Sequence, residues 1–221
     1  MRIGLIVFPT LDDTHSPQSA ASDLGQRLEP SVLSLCSTRP QDTTIFIPDN
    51  KPRPDIDLYL CSIYTRGWLE FTEFAKNVDP TKIIAGGYHP TARPDDTLPF
   101  AGTVVTGLCG NIEDIIDNHP AGIVSGKNIH RIMNRDLIDT SKMRQIYPDA
   151  YPTMTVGSSV SSTGCPYDCD FCATPQMSGR KMDAFPLDLI QEDIQDLRNR
   201  KTQVLFIRDE SFIFHRSPKK R

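Results

Sequence analysis

Long hydrophobic runs are absent from this 221-residue sequence. The apolar stretch at its start, residues 1–8, is far too short to cross a bilayer, and no signal-peptide cleavage pattern follows it. These absences predict a protein with no membrane span, which we expect in the cytoplasm. Internal repeats and low-complexity tracts are also lacking, and 38% apolar side chains provide enough material for a packed core.

A strong net charge is lacking as well. The formal charge is −4, and acidic and basic residues are mixed along the chain, so no global attraction to nucleic acid or anionic lipid is expected. The one basic cluster, the tail His215–Arg221, is more typical of a solvated terminus. The sequence therefore has no clear nucleic-acid patch, and its length allows one large domain or two small ones.

Residues 1–125 alternate short apolar strands with helical segments, and helices are predicted at about 19–37, 66–77 and 111–118. This alternation is typical of a doubly wound parallel sheet, a Rossmann-like or flavodoxin-like α/β fold covered on both faces. Its ligand crevice lies at the carboxyl ends of the strands, in the loops 9–17, 62–67, 86–91 and 107–110. The strands are predicted at 2–8, 43–48, 57–63, 82–86 and 103–107.

A connector is predicted over 126–154, because the periodicity is lost there and prolines and polar residues indicate a segment on the surface of the first domain. A second domain is predicted over 155–221. It begins with a strand at 155–163, continues with a helix opened by Pro186, and reaches another strand at 204–207. The helix carries an apolar stripe made of Leu187, Ile190, Ile194 and Leu197.

Three of the six cysteines lie within eight residues, at Cys165, Cys169 and Cys172. In a reducing compartment such a cluster indicates a metal site rather than a disulfide framework. Three thiolates at these spacings can turn around an iron–sulfur cluster and leave one iron open to a cofactor or substrate. The alternative is a structural zinc site with a distant fourth ligand. The isolated cysteines, expected to be small buried hydrophobes, are Cys36, Cys61 and Cys109.

The segment 164–172 resembles the radical S-adenosylmethionine (SAM) signature, in which an aromatic residue precedes the last cysteine. The resemblance implies that its three cysteines ligate a 4Fe-4S cluster, that Phe171 lies near the adenine, and that SAM is cleaved reductively to a 5'-deoxyadenosyl radical. Residues 178–182 resemble the Gly-Arg-Lys segment of the same family. Asp209 and Glu210 are predicted to contact the SAM amino group, although an acidic strand end is equally typical of a solvated turn.

The first domain resembles the cobalamin-binding domain found upstream of many radical SAM domains, through its segments 61–65, 86–91 and 104–107. Two departures are visible: Gln18 replaces the glycine of an Asp-x-His-x-x-Gly motif, and 107–110 lacks an acidic stretch. His15 is interpreted as a surface loop histidine and His89 as a structural one, and a scaffold without a cofactor is the alternative to cobalamin binding. The cobalamin contacts that the resemblance implies are Ser62, Thr65, Gly86 and Gly87.

The second domain offers only the first βα units of a partial radical SAM barrel, since the chain stops soon after the cysteines. We expect a truncated product or a barrel completed by a second chain. The sheet edge at 204–207 is expected to invite pairing or aggregation.

Two functions of different class follow. The first is a radical SAM enzyme associated with cobalamin, performing methyl transfer, rearrangement or cyclisation on a small-molecule substrate, with flavodoxin or ferredoxin as electron donor. The second is a non-catalytic protein that binds an iron–sulfur cluster or zinc. No catalytic residue is assigned, and no motif identifies the substrate.

Overall fold

The structure is a computed structural model of the chain, and it describes residues 1–8, 42–46, 50–132, 135 and 156–212. The predicted loop 9–17, the predicted helix 19–37, most of the connector and the basic tail lie outside the described residues. Cys36 and His15 lie outside them as well. The described residues form one six-stranded sheet, called here the first unit, and two two-stranded sheets, called here the second unit.

The first unit is a parallel sheet of six strands in the order β2-β1-β3-β4-β5-β6. This order reverses direction between β1 and β3, as in flavodoxin-like folds, and confirms the predicted fold class. The sequence pattern did not predict the last strand, which pairs with β5 at the edge of the sheet. The strands are β1 (Arg2–Phe8), β2 (Thr43–Phe46), β3 (Leu58–Ile63), β4 (Ile83–Gly86), β5 (Thr103–Thr106) and β6 (Gly122–Ser125).

The central strands are buried on both faces of this sheet. In β1 the side chains of Ile3, Leu5 and Val7 enter one apolar cluster, and those of Ile6 and Phe8 enter the other. Successive side chains of a strand point to opposite faces, so a strand that is covered on both sides becomes a continuous apolar run. This is why β1 has no polar residue after Arg2.

Helices cover both faces of the first sheet. The helix α1 (Trp68–Ala75) buries Phe71 and Phe74 against one face, whereas Leu69, on its outer side, is 76% exposed. Two short helices, α2 (Tyr88–Ala92) and α3 (Pro94–Thr97), follow β4. The helix α4 (Ile112–Asn118) buries its three isoleucines in the cluster on the other face.

The second unit is smaller. Its strands β7 (Val156–Ser159) and β10 (Val204–Ile207) pair in parallel, while β8 (Ser162–Thr163) pairs antiparallel with β9 (Asp183–Ala184). The strand predicted at 155–163 is therefore interrupted, because Ser161 turns the chain and binds Asp209 through its backbone N–H and its hydroxyl. The helices are α5 (Thr174–Ser178) and α6 (Leu187–Asn199), and Pro186 stands at the amino-terminal cap of α6.

The structure corrects two expectations about the second unit. The predicted apolar stripe of α6 is mostly uncovered: Leu197 is buried, but Leu187 is 69% and Ile194 is 39% exposed. The physical reason is that α6 packs chiefly on β7, so only part of its apolar face finds a partner. Arg135 of the connector does not lie on the surface of the first unit, because it is buried against α6 and β7.

No helix in the described part of the chain combines the length and the apolar character needed to cross a membrane.

Candidate functional site

The cysteine loop, residues 164–172, leaves β8 and ends before α5. Its base is closed by the pairing of β8 with β9 and by a hydrogen bond from the Cys165 N–H to the Gly179 carbonyl, 3.1 Å. Gly164 has φ +85°, and a Cβ placed on it would lie 2.2 Å from the Lys181 carbonyl oxygen. Glycine is therefore required at the entrance of the loop.

The three thiols of the loop differ in exposure: Cys165 and Cys172 are half-buried, and Cys169 is exposed. The Cys172 N–H donates to the Cys169 carbonyl, 3.0 Å, which fixes the turn between them. Hydrogen bonds with Thr174 lower the pKa of the Cys172 thiol. The bond with the Thr174 side chain has the larger effect, and the bond with the Thr174 backbone adds to it. The loop thus favours the thiolate form, which is the form that binds metals.

The donor set of the loop suits a soft metal centre. Three sulfur ligands on one short loop match an iron–sulfur cluster or zinc and do not suit a hard cation such as Mg²⁺. Among the described residues, no three His, Cys, Asp or Glu side chains are already gathered around a metal-sized space. The loop is identified as a candidate metal centre by its three sulfur donors and by its closed base.

Further side chains in and beside the loop contribute to the candidate site. Phe171 is 92% exposed, so its ring is available to a ligand and contributes little to the packing. Asp168 and Arg180 form an ion pair across the loop, and this pairing lowers the pKa of the Asp168 carboxyl. The predicted Gly-Arg-Lys segment thus supplies a side chain that ties the middle of the loop to the segment after α5.

Asp209 and Glu210 follow β10, and Asp209 lies next to the turn between β7 and β8. The Asp209 carboxylate accepts hydrogen bonds from the Ser161 N–H (2.7 Å), the Ser161 hydroxyl (2.5 Å) and the Ser162 hydroxyl (2.8 Å). It stabilises the turn between β7 and β8. Among the described residues, Glu210 accepts a hydrogen bond from the Ser178 hydroxyl alone, 2.7 Å, and it lines a cavity, so it is the more available carboxylate.

The four residues predicted as cofactor contacts in the first unit cluster at the carboxyl ends of β3 and β4. Ser62 and Gly86 line a small cavity, and Thr65 is exposed at the start of a 3-10 turn. Gly87 has φ +104°, and a Cβ on it would lie 2.9 Å from the backbone of Ile63. Close packing within the protein is therefore sufficient to explain this glycine.

The crevice beside these residues is closed by the second unit. Met177 of α5 lies over it, with its sulfur 3.4 Å from the Thr91 hydroxyl, and the Gly107 N–H donates to that hydroxyl. The cavity left beneath is about 60 Å³ and mostly apolar. A pocket for a small drug-sized ligand is about 300 Å³ or more, so the space beneath Met177 is too small for such a ligand.

The remaining histidine and cysteine predictions concern buried positions. His89 is 5% exposed and its ring stacks on Trp68 at 4.1 Å. Burial lowers its pKa, which agrees with a structural histidine. Cys61 is buried and Cys109 is half-buried, and burial raises the pKa of the Cys109 thiol to about 12. Both are unreactive hydrophobes, as expected.

Sequence reasoning missed a second cavity of about 230 Å³, which lies between the two units. The loop after β5 and residues 128–131 form one wall, and the ends of α5, α6 and β10 form the other. Asn128 holds the walls together by donating to the Thr163 hydroxyl and to the Asp183 carboxylate, each at 2.8 Å. No sequence motif marks this cavity, because its lining residues come from seven separated segments.

Comparison with known proteins gives distant likenesses. No protein-family model matches the chain. A bacteriochlorophyllide d C-8(2)-methyltransferase of Chlorobaculum tepidum is 21% identical over 140 residues, which are 61% of this chain and 31% of that protein.

Two solved structures resemble the fold. One is TsrM, a radical S-adenosylmethionine methyltransferase from Kitasatospora setae, with cobalamin and a [4Fe-4S] cluster bound, at a TM-score of 0.55 and 11% identity. The other is TsrM with tryptophan substrate and a SAM analog, at 0.56 and 12%. Each likeness covers 95% of this chain but only 47% of TsrM. The chain therefore shares its α/β fold with about half of TsrM.

Proposed function

We propose that this chain is a radical SAM iron–sulfur protein whose cluster is held by Cys165, Cys169 and Cys172. The observation that carries the proposal is the cysteine loop itself: three thiols on one loop with a closed base, in a fold similar to a radical SAM methyltransferase. When bound, the cluster supplies the electron that cleaves SAM to a 5'-deoxyadenosyl radical.

The residues around the loop have supporting roles in this proposal. Thr174 lowers the pKa of the Cys172 thiol and so favours the ligating form. The exposed ring of Phe171 is free to lie against the adenine of SAM. Glu210 is the carboxylate proposed to hold the SAM amino group, since Asp209 already accepts three hydrogen bonds.

Methyl transfer is the chemistry we propose for the complete protein. Both named relatives are methyltransferases, and the chain spans about half of one and a third of the other. A small-molecule substrate, a flavodoxin or ferredoxin as electron donor, and a second chain that completes the barrel belong to this proposal. So does the division into domains 1–125 and 155–221 with a connector between them.

Cobalamin is treated separately, because Met177 covers the crevice near Ser62 and Gly86 and leaves only a small cavity there. No step of the proposed function is derived through it. A spectrum recorded after mixing with hydroxocobalamin and desalting tests this point. Loss of the corrin bands agrees with the closed crevice, and retained bands would show that α5 withdraws.

The test of the proposed function is anaerobic reconstitution with iron and sulfide, followed by reduction with dithionite in the presence of SAM. We expect a brown chromophore and formation of 5'-deoxyadenosine. Cys172→Ser should abolish both, whereas Cys109→Ser, a cysteine outside the loop, should retain them. A fully loaded cluster that never cleaves SAM would contradict the enzymatic proposal and favour a non-catalytic iron–sulfur protein. Zinc near one per chain would favour a structural site.

A further inference from the structure

Residues 127–131, which we call the strap, follow β6 and contact the two units in alternation. The Gly110 N–H donates to the Lys127 carbonyl, and the Lys127 N–H donates to the side-chain oxygen of Asn111, each at 2.7 Å. Arg131 donates to the Gly110 carbonyl at 3.1 Å and makes a bidentate ion pair with Glu113, at 2.8 and 2.6 Å. Positions 127 and 131 are therefore held on the first unit, at the loop after β5 and at α4.

Ile129, the odd-numbered position between them, packs directly on Gly110. A Cβ added to Gly110 would lie 2.4 Å from the Ile129 nitrogen and 2.7 Å from its Cβ. Gly110 does not have a positive φ, so the reason for glycine at this position is close packing and not backbone conformation. The strap can lie against the loop only because position 110 has no side chain.

The even-numbered positions of the strap contact the second unit at the base of the cysteine loop. Asn128 donates to the Thr163 hydroxyl and to the Asp183 carboxylate, each at 2.8 Å. The His130 ring stacks on Phe185 at 4.2 Å, and its Nε2 lies 3.0 Å from the same carboxylate, outside hydrogen-bond geometry. Thr163 and Asp183 are paired residues of β8 and β9, and Thr163 stands two positions before the first cysteine of the loop.

We propose that Asn128 is a positioning residue for the metal centre: through Thr163 and Asp183 it fixes the base of the cysteine loop on the first unit. The inference rests on the proposed function in one respect, the assignment of a metal to the loop. A base that is already ordered loses less conformational freedom when three thiolates converge on a metal, so the strap favours metal binding. Because such coupling is reciprocal, a metal in the loop also stabilises the strap.

Cobalt(II) titration of the reduced full chain tests the proposal, because thiolate-to-cobalt absorption reports binding at the cysteine loop. Asn128→Asp replaces the donating amide with a carboxylate that repels Asp183, and it should weaken cobalt binding by about tenfold. Combining Asn128→Asp with Asp183→Asn exchanges the two groups and restores a donor opposite an acceptor. Cobalt binding should then return to within about twofold of the wild type.

The matched control for this pair is Asn199→Asp, which makes the same chemical change at the exposed end of α6. It should bind cobalt as the wild type does.

Gly110→Ala displaces the strap from the side of the first unit and alters no residue of the second. It should also weaken cobalt binding, whereas an effect confined to the second unit would leave binding unchanged. Gly122→Ala is the control for general destabilisation of the first unit. It is strained, at φ +91°, but its added Cβ meets nothing within 4 Å, so cobalt should bind as in the wild type.

Hydrogen exchange with mass spectrometry measures the same coupling in the metal-free chain. The Cys165 N–H donates to the Gly179 carbonyl at the base of the loop. Peptides that contain this amide should exchange faster in Asn128→Asp and at the wild-type rate in the exchanged double variant.

Unchanged exchange in Asn128→Asp, no recovery in the double variant, or wild-type cobalt binding in Gly110→Ala would each overturn the proposal. A wild type that binds no cobalt would overturn it together with the metal site. If these tests succeed but the reconstituted chain never cleaves SAM, only the proposed function fails. If the chain cleaves SAM and Asn128→Asp behaves as the wild type in every assay, only the role of Asn128 fails.

Discussion

Arg135 is the residue that most firmly joins the connector to the second unit. Its guanidinium donates to both carboxylate oxygens of Asp193, to Asp196 and to the Ser158 carbonyl, and its side chain is 6% exposed. Removing one partner of a buried pair leaves the other charge unpaired. We therefore expect Arg135→Ala to lower the free energy of unfolding by about 3–5 kcal/mol, measured by urea denaturation.

The matched control is Arg93→Ala, because Arg93 pairs with Asp96 at the surface, where their side chains are 67% and 47% exposed. Exposed pairs contribute about 0–1 kcal/mol, so this variant should unfold nearly as the wild type does. Equal effects of the two substitutions would show that Arg135 is not buried against α6.

His89 makes stability depend on pH. Burial, the largest effect, lowers its pKa below the ordinary value of about 6.5. The unfolded chain therefore takes up the proton first as the pH falls. Stability should be at its full value above about pH 6.5 and should decrease as the pH falls through that value toward the lower folded pKa.

Urea denaturation between neutral and mildly acidic pH measures this dependence. His89→Phe keeps an aromatic ring beside Trp68 and removes the titrating group, so its stability should change less over the same range. A wild-type pH dependence in His89→Phe would assign the effect to other groups.

Features formed by residues close together in the sequence could be predicted, and contacts between residues far apart in the sequence could not. The cysteine spacing and the glycine at Gly164 are local patterns, so the sequence could identify them. The Arg135–Asp193 pair joins residues 58 positions apart, and Asp209 binds Ser161 across 48 positions. Pairings between residues so far apart leave no periodic pattern in a single sequence. The role of Asp209 as a SAM contact was therefore predicted from the family resemblance alone.

The cysteine loop depends, as an element, on the close packing at its base. Gly164 and Gly179 both have positive φ, +85° and +81°. A Cβ at Gly164 would meet the Lys181 carbonyl oxygen at 2.2 Å, but a Cβ at Gly179 would meet nothing within 4 Å. Gly179→Ala should cost about 1–3 kcal/mol from backbone strain alone.

Gly164→Ala should be more damaging, because it adds a clash between backbone groups to the same strain. We expect it to abolish cluster loading, while Gly179→Ala retains most of it. Iron and sulfide analysis after reconstitution measures the difference. Equal loading in the two variants would contradict the described closure of the loop.

Periodicity predicted the elements well wherever a helix or strand is covered on a whole face. The strands β1, β3, β4 and β5 and the helices α1 and α4 were predicted in this way. The edge strand β6 was missed because it is short and half-exposed, with alternate residues facing outward. The short pair β8–β9 was missed because strands of two residues leave no periodic pattern.

At the scale of the whole molecule, the second unit leaves apolar surface uncovered. Leu205 and Ile207 of β10 are 40% and 43% exposed, and within the described residues β10 pairs only with β7. An uncovered apolar strand favours self-association. Leu205→Lys should weaken self-association by roughly tenfold, since burying a leucine contributes about 1.5–3 kcal/mol.

Size-exclusion chromatography over a range of protein concentrations measures this change. Leu69→Lys, which alters a 76% exposed leucine on α1, is the control and should leave the elution profile unchanged. A profile that shifts with Leu69→Lys and not with Leu205→Lys would place the association surface on the first unit.

The central claim is that the cysteine loop holds an iron–sulfur cluster to which SAM binds. It is tested most directly by electron paramagnetic resonance of the reconstituted, dithionite-reduced chain with and without SAM. We predict about four irons per chain and a reduced-cluster signal that shifts when SAM is added, with both lost in Cys172→Ser and retained in Cys109→Ser. A signal that SAM leaves unchanged, or zinc in place of iron, would contradict the account.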